Sequence, residues 1–224
     1  VNTPQVLSSC EVNTAGFATF DLSINQSAIV GDQTNIALQY YRTYAEAEIG
    51  NAALSLPVIY SGPQGDIFIR VINQATGCYI IVTQPLQILE VPVLNAIAPL
   101  EVCDNNNDGY AIFNLIPTTI AITENPVPAG LLITYHETLA DANDNVNRIL
   151  NIGAYQNIVP NNQTIYARVT RLNSNCFATM PIDLIVNSIP NIVTPTPLTS
   201  CDSDNNGIAD FDLTSKIAEI LNGL

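Results

Sequence analysis

One word occurs three times in the chain and limits what it can fold into. It starts at Cys10, Cys103 and Cys201, and each time Ala-x-Phe-x-Leu follows at the same offset: Ala18, Phe20, Leu22; Ala111, Phe113, Leu115; Ala209, Phe211, Leu213. Other segments return once. Thr43-Tyr44-Ala45-Glu46-Ala47 returns as Thr138-Leu139-Ala140-Asp141-Ala142, and Asp66 to Val71 returns as Thr164 to Val169, with Cys78 and Cys176 each eight residues beyond an arginine. Starts 93 and 98 residues apart mean a row of similar units of domain size. The pattern predicts two complete repeats, 1–92 and 93–190, and the first part of a third at 191–224. That third part lacks the strands that would cover it, so the expectation is a fragment of a longer array, or completion by another chain.

Within a repeat the apolar period is two. Ile67, Ile69 and Val71 alternate with Phe68 and Arg70, and Ala18, Phe20 and Leu22 alternate with Thr19 and Asp21, the pattern of half-buried strands. Short runs such as Tyr79 to Thr83 and Leu86 to Val91 are separated by Pro- and Asn-bearing turns. The expected class is all-β, with tandem immunoglobulin-like sandwiches of about 95 residues but without the core Trp of true immunoglobulin domains, since the chain has none. Residues 212–221 predict a short helix with Ile217, Ile220 and Leu221 on one face and Asn222-Gly223 as its stop; Ser23 to Val30 and Ile116 to Thr123 are weaker equivalents. The linkers, Glu90 to Val93 and Ser188 to Pro197, carry proline and no Gly-Ser runs, which favours semi-rigid spacing.

Charge narrows the partners. Six Lys plus Arg against twenty Asp plus Glu give a net charge of −14, so neither a phosphate backbone nor an anionic membrane surface is expected to bind. No apolar run approaches a membrane span. Charged residues are only 12% of the chain, about half the usual share near 25%, leaving Asn, Thr, Ser and Gln to make the polar surface.

The five cysteines divide as one pair per complete repeat: Cys10 with Cys78, and Cys103 with Cys176, leaving Cys201. Such pairs would staple each sandwich and indicate an oxidising, exported setting. Free buried thiols and a Cys78–Cys103 bond across the linker are the alternatives. Zinc has little support, with no C-x-x-C and one histidine.

Asp202-Ser203-Asp204-Asn205-Asn206-Gly207-Ile208 and Asp104-Asn105-Asn106-Asn107-Asp108-Gly109-Tyr110 have the D-x-[DN]-x-[DN]-G spacing of a calcium loop. Alternate side chains in a tight loop can converge on one ion, and glycine permits the sharp turn. The candidate ligands are Asp104, Asn106, Asp108 and the Tyr110 carbonyl, and Asp202, Asp204, Asn206 and the Ile208 carbonyl, with Asp210 or Glu101 supplying what is missing. Leu115 and Leu213 stand where a bidentate Glu would close the shell. The first repeat, Glu11 to Gly16, has lost two ligand positions and is expected to hold no metal. The competing reading is an Asx-rich turn whose side chains bond their own backbone.

No catalytic constellation is expected. His136 has no counterpart in the first repeat and reads as a surface strand-end residue. The pairs Glu46 with Glu48 and Asp141 with Asp144 read as solvated loop charges, and no glycine-rich phosphate cradle occurs.

Cys103 to Leu115, Tyr135 to Ala142, Gln163 to Val169, Cys176, and Leu184 to Val186 together resemble tandem immunoglobulin-like repeats of giant cell-surface adhesins of Bacteroidota, particularly gliding flavobacteria. The resemblance implies export by the type IX secretion system and a place on the outer surface, with neighbouring repeats, the secretion machinery and a surface or glycan target as partners. It points to a stalk or adhesive shaft. The alternatives are an accessory carbohydrate-binding module of a secreted enzyme, or a filament protomer completed by strand exchange.

Overall fold

The chain was analysed as a computed structural model, which describes residues 1–12, 16–123, 127–190 and 192–221. The first repeat runs β1 (Leu7–Cys10), β2 (Ala18–Asp21), α1 (Gln26–Val30), β3 (Ile36–Tyr41), α2 (Tyr44–Ile49), β4 (Ile59–Gly62), β5 (Gly65–Asn73) and β6 (Tyr79–Leu89). The second repeats this order as β7 (Leu100–Asp104), β8 (Ile112–Phe113), α3 (Ile116–Ile122), β9 (Leu131–His136), α4 (Leu139–Asp144), β10 (Tyr155–Gln156), β11 (Asn162–Arg171) and β12 (Phe177–Ser188). In each, a four-stranded sheet faces a two-stranded one: β1-β6-β5-β3 with β2-β4, and β7-β12-β11-β9 with β8-β10. The first strand of each large sheet lies parallel to the last, whereas the other pairs are antiparallel. Two packed sheets with this order are an immunoglobulin-like sandwich, so the all-β expectation holds.

The alternation seen in the sequence is the alternation of burial. Ile67, Ile69 and Val71 point into one core with Phe20, Leu22 and Ile29; Ile165, Ala167 and Val169 point into the other with Phe113, Leu115 and Ile122. The repeats also begin alike. The Asn2 N–H donates to the Ile29 carbonyl, Asn95 N–H to Ile122, and Val193 N–H to Ile220 (3.2, 2.8 and 3.1 Å), so a strap is tied to the end of a short helix three times over. The last of these is α5 (Ile217–Leu221), preceded by a 3-10 turn, Leu213–Lys216, that Asp212 caps through Thr214 N–H. The predicted single helix at 212–221 is thus divided, and its stop, Asn222-Gly223, lies outside the described residues.

Two helices, α2 and α4, were not expected. Thr43 accepts from Glu46 N–H while Glu46 accepts from Thr43 N–H, a complete capping box, and Thr138 accepts from Asp141 N–H. Glu46 and Asp141 are therefore helix-capping groups rather than idle loop charges. At the far ends Gly50 and Asn145 take left-handed backbone angles (φ 68° and 57°). An arginine of the central strand completes each end. Arg70 donates to the Ala47 and Glu48 carbonyls (2.6 and 2.7 Å) and stacks on Tyr79; Arg168 donates to those of Ala142 and Asn143 (2.9 and 2.8 Å) and stacks on Phe177. Both guanidinium groups lie 3.3 Å from the ring centroid, where cation–π attraction is strong. Burial lowers the Arg168 pKa, with Arg148 adding repulsion.

Equivalent phenylalanines have different surroundings. Phe113 is 1% exposed and Phe211 51%. Phe113→Ala is expected to cost about 3–5 kcal/mol, the usual range for a buried ring, and Phe211→Ala less than about 0.5 kcal/mol; denaturant unfolding of the two variants checks this.

Candidate functional site: the junction between repeats

The single disulfide among the described residues joins Cys10 of the first repeat to Cys176 of the second, with Cα atoms 5.5 Å apart and 166 residues between them in sequence. Cys78, Cys103 and Cys201 are exposed free thiols. This corrects the expected pairs, Cys10 with Cys78 and Cys103 with Cys176. The reason is strand length. Cys10 sits beside Leu89 at the end of β6, while Cys78 precedes Tyr79 at its start. Eleven residues at roughly 3.3 Å each separate those positions by about 36 Å, whereas bonded cysteines need Cα atoms within about 7 Å. The second repeat has the same geometry, with Cys103 beside Asn187 and Cys176 just before Phe177. The two cysteines of a repeat therefore lie at opposite ends of the sandwich, and the near partner belongs to the adjacent repeat. A Glu90–Arg171 ion pair at 3.6 Å flanks the bond; its side chains are partly solvated, so it adds little.

The acidic loops stand next to these cysteines. The Asp104 Oδ2 accepts from Gly109 N–H (2.6 Å) and Oδ1 from Asn106 N–H (3.2 Å). In the third copy Asp202 Oδ2 accepts from Gly207 N–H (2.7 Å), and in the first Glu11 Oε1 accepts from Gly16 N–H (2.6 Å). All three glycines have φ between 82° and 86°, a conformation costly for residues with a Cβ. One carboxylate-to-glycine bond, five residues apart, closes every copy, whether or not the other acidic positions are kept. The first copy's Asn13 and Ala15 lie outside the described residues.

The remaining candidate ligands are mostly on the surface. Asp108 accepts from Asn106 Nδ2 and Tyr110 N–H, Asp204 from Asn206 Nδ2, and Asn206 Oδ1 from Ile208 N–H. Asp210 is exposed, and Glu101 accepts from Asn187 Nδ2 (2.9 Å). Among the described residues no three His, Cys, Asp or Glu side chains converge on one point. The Asp104 loop also reaches the next linker, where Asn107 Oδ1 accepts from Ile189 N–H (3.1 Å). Burial pushes the Asp104 carboxyl up, but the N–H groups of Gly109, Asn106, Asp108 and Asn107 outweigh it and hold the pKa below its usual value; Asp202 is lowered chiefly by Gly207 N–H.

His136 differs from expectation: it is fully buried, with Nδ1 against the Val146 carbonyl (2.6 Å) and Nε2 against Thr134 Oγ1 (2.9 Å). The segment after α4 covers the strand end that would otherwise be surface. Its partners are structural, binding the α4 loop to β9.

The junction disulfide was legible only in part. The recurring cysteines were visible, but their placement at opposite strand ends required counting residues along β6 and β12. The capping role of Arg70 and Arg168 had a signal as well, an arginine recurring at an otherwise apolar strand register.

Two expectations follow from this geometry. Peptide mapping of the unreduced chain yields a Cys10–Cys176 cross-linked peptide; recovery of Cys10–Cys78 or Cys103–Cys176 instead would overturn the junction. Because the folded pKa of Asp104 is lowered, its stabilising contribution is complete above the ordinary carboxylate pKa of about 4 and disappears as pH falls through the folded value. Melting temperatures measured below pH ~4 should fall less steeply for Asp104→Asn than for the wild type.

The family described as Flavobacterium inter-domain disulphide bond domain matches the chain twice, at residues 6–92 and 99–190. No curated protein matches the chain in sequence. Among solved structures, the chain is similar to extracellular domains 3–5 of Drosophila OTK (13% identity, 84% of this chain and 61% of that one, TM-score 0.28). It is similar as well to immunoglobulin domains 1–5 of Sidekick-1 (10% identity, 85% and 40%, TM-score 0.25). The chain thus spans about three fifths and two fifths of these structures.

Proposed function

The chain belongs to the Flavobacterium inter-domain disulphide bond domain family, and from that premise we propose that it is a tension-bearing stalk segment of a large adhesin on the bacterial outer surface. It is a structural repeat segment whose immediate partners are neighbouring repeats of the same chain. The observation that carries the reading is the Cys10–Cys176 bond across the linker. A pull applied to the two ends enters at Cys10, crosses the disulfide and leaves at Cys176, so the backbone between them forms a closed loop that carries no load. A bond of this kind persists in an oxidising, secreted or surface setting, and no helix among the described residues is long and apolar enough to cross a membrane.

The finer parts of the proposal are export through the type IX secretion system, a surface or glycan target, and a non-catalytic role. Much of the aromatic surface that a carbohydrate platform would use is committed to packing: Tyr40, Tyr41, Tyr60, Tyr135 and Tyr155 are buried. Calcium at the Asp104 and Asp202 loops belongs to the same proposal. Its support is loop spacing together with the Asn107–Ile189 contact, which puts the Asp104 loop against the linker that a bound ion would stiffen.

Pulling single molecules by their ends tests the reading. The oxidised chain is expected to lack an extension of roughly 500–600 Å that appears on reduction, the length of the released loop at about 3.3–3.6 Å per residue. Full extension without reductant would overturn the stalk mechanism, and identical unfolding forces with calcium and with chelator would overturn the calcium part.

A further inference from the structure

The two repeats part company at one place where their folds otherwise coincide. Tyr60 pairs with Phe20 as Tyr155 pairs with Phe113, and Gly65 pairs with Leu86 as Gln163 pairs with Leu184. In the second repeat the tyrosine hydroxyl is fully served. It donates to Glu137 Oε1 (3.3 Å) and accepts from Gln163 Nε2 (2.8 Å), while Gln163 Oε1 accepts from the N–H groups of Ile158 and Val159. The first repeat has neither partner: Arg42 precedes Thr43 where Glu137 precedes Thr138, and Gly65 takes the place of Gln163. A cavity of about 190 Å³ opens beside Gly65, with a buried floor of Tyr60, Ile67 and Leu86 and an exposed rim of Arg42, Gln64 and Asp66. Gly65 has φ 142°, which residues with a Cβ rarely adopt, and a Cβ there would meet nothing within 4 Å. Tyr60 is 6% exposed, and its hydroxyl, without a partner among the described residues but not sealed from solvent, opens on this cavity. The Arg42 guanidinium lies 5.7 Å from the Tyr60 ring centroid and makes no ion pair among the described residues.

We propose that this cavity binds one sugar-acid residue at the end of a glycan, whose carboxylate supplies from outside the acceptor that Glu137 supplies from within. The carboxylate accepts from the Tyr60 hydroxyl and from Arg42, whose planar fork of donors suits it. A closed apolar cavity of about 150 Å³ admits a benzene ring, so the space suits a single six-membered ring laid against Ile67 and Leu86. At the rim Asp66 repels a second carboxylate and accepts from ring hydroxyls, and the Gln64 amide can donate or accept. The net charge of −14 likewise disfavours a dense polyanion, which leaves one acidic residue on an otherwise neutral glycan. Tyr60 offers its hydroxyl and not its face, so the site is a pocket for one ring and not a stacking platform. The inference deepens the glycan-target part of the proposed function and rests on it, but it does not depend on the Cys10–Cys176 bond.

The test is an NMR titration of the isotope-labelled whole chain with methyl glucuronide, methyl glucoside and N-acetylalanine. Methyl glucuronide is expected to shift the amide signals of Gly65, Asp66 and Ile67 saturably, and Arg42→Ala and Tyr60→Phe are each expected to weaken it roughly tenfold, the loss of one charge-assisted hydrogen bond. Tyr60→Phe removes a hydroxyl that holds no group of the fold, so the rest of its spectrum is expected to match the wild type. No saturable shift at about 10 mM, where a millimolar site fills, an equal response to methyl glucoside, or unchanged affinity in both variants would overturn the proposal. Equal binding of N-acetylalanine would overturn it in favour of a peptide carboxyl end. Each of these failures leaves the stalk reading to its own measurements, the Cys10–Cys176 peptide and the extension released on reduction.

Discussion

Strands β6 and β12 are long enough to run the whole height of their sandwiches, and the separation they impose governs the covalent structure. A first-strand cysteine lies parallel to the end of that strand, and a hairpin cysteine sits at its beginning. No rotamer change spans a sandwich. Among the described residues the thiol within reach of Cys10 is the one brought up by the next repeat, so cross-linking here is a property of neighbours and not of a domain. Closing a loop of this size constrains the unfolded chain by roughly 5 kcal/mol in the loop-entropy account. Both repeats share that constraint.

The turns at the junction are built on the same economy of parts. A carboxylate beside the first-strand cysteine accepts the N–H of a left-handed glycine in all three copies, and glutamate in the first does what aspartate does in the others. The bond holds the loop in shape beside the cysteine, and in the second copy Asn107 extends the contact to the following linker. In the second repeat loop and linker thus meet beside Cys103, at the end of the sandwich opposite Cys176. At the β9 edge, His136 and Arg168 fasten α4 and the segment behind it with backbone carbonyls as acceptors.

Much of this was legible in the residues. Alternation at Ile67, Ile69 and Val71 disclosed the sheets because half-burial has a period of two, and the triple Ala-x-Phe-x-Leu word disclosed the array. Cysteine pairing was misread because one pair per repeat suggests one bond per repeat, and spacing along the chain holds no information on which end of a strand a residue occupies. Helices α2 and α4 were overlooked although Thr43-x-x-Glu46 and Thr138-x-x-Asp141 are capping patterns; six residues are too few for a helical period to stand out. His136 is hidden by tertiary packing that no local pattern foretells. The calcium-like spacing marks a turn that closes on its own backbone, a geometry that loop spacing shares with ion binding.

The Cys10–Cys176 link has a bearing on survival outside the cell, where proteases attack exposed loops. Most surface loops of both sandwiches lie between the two bonded residues. A single backbone cut anywhere in that interval leaves two fragments still tied through sulfur, each with strands of the large sheets in place. The molecule can be nicked there without being severed.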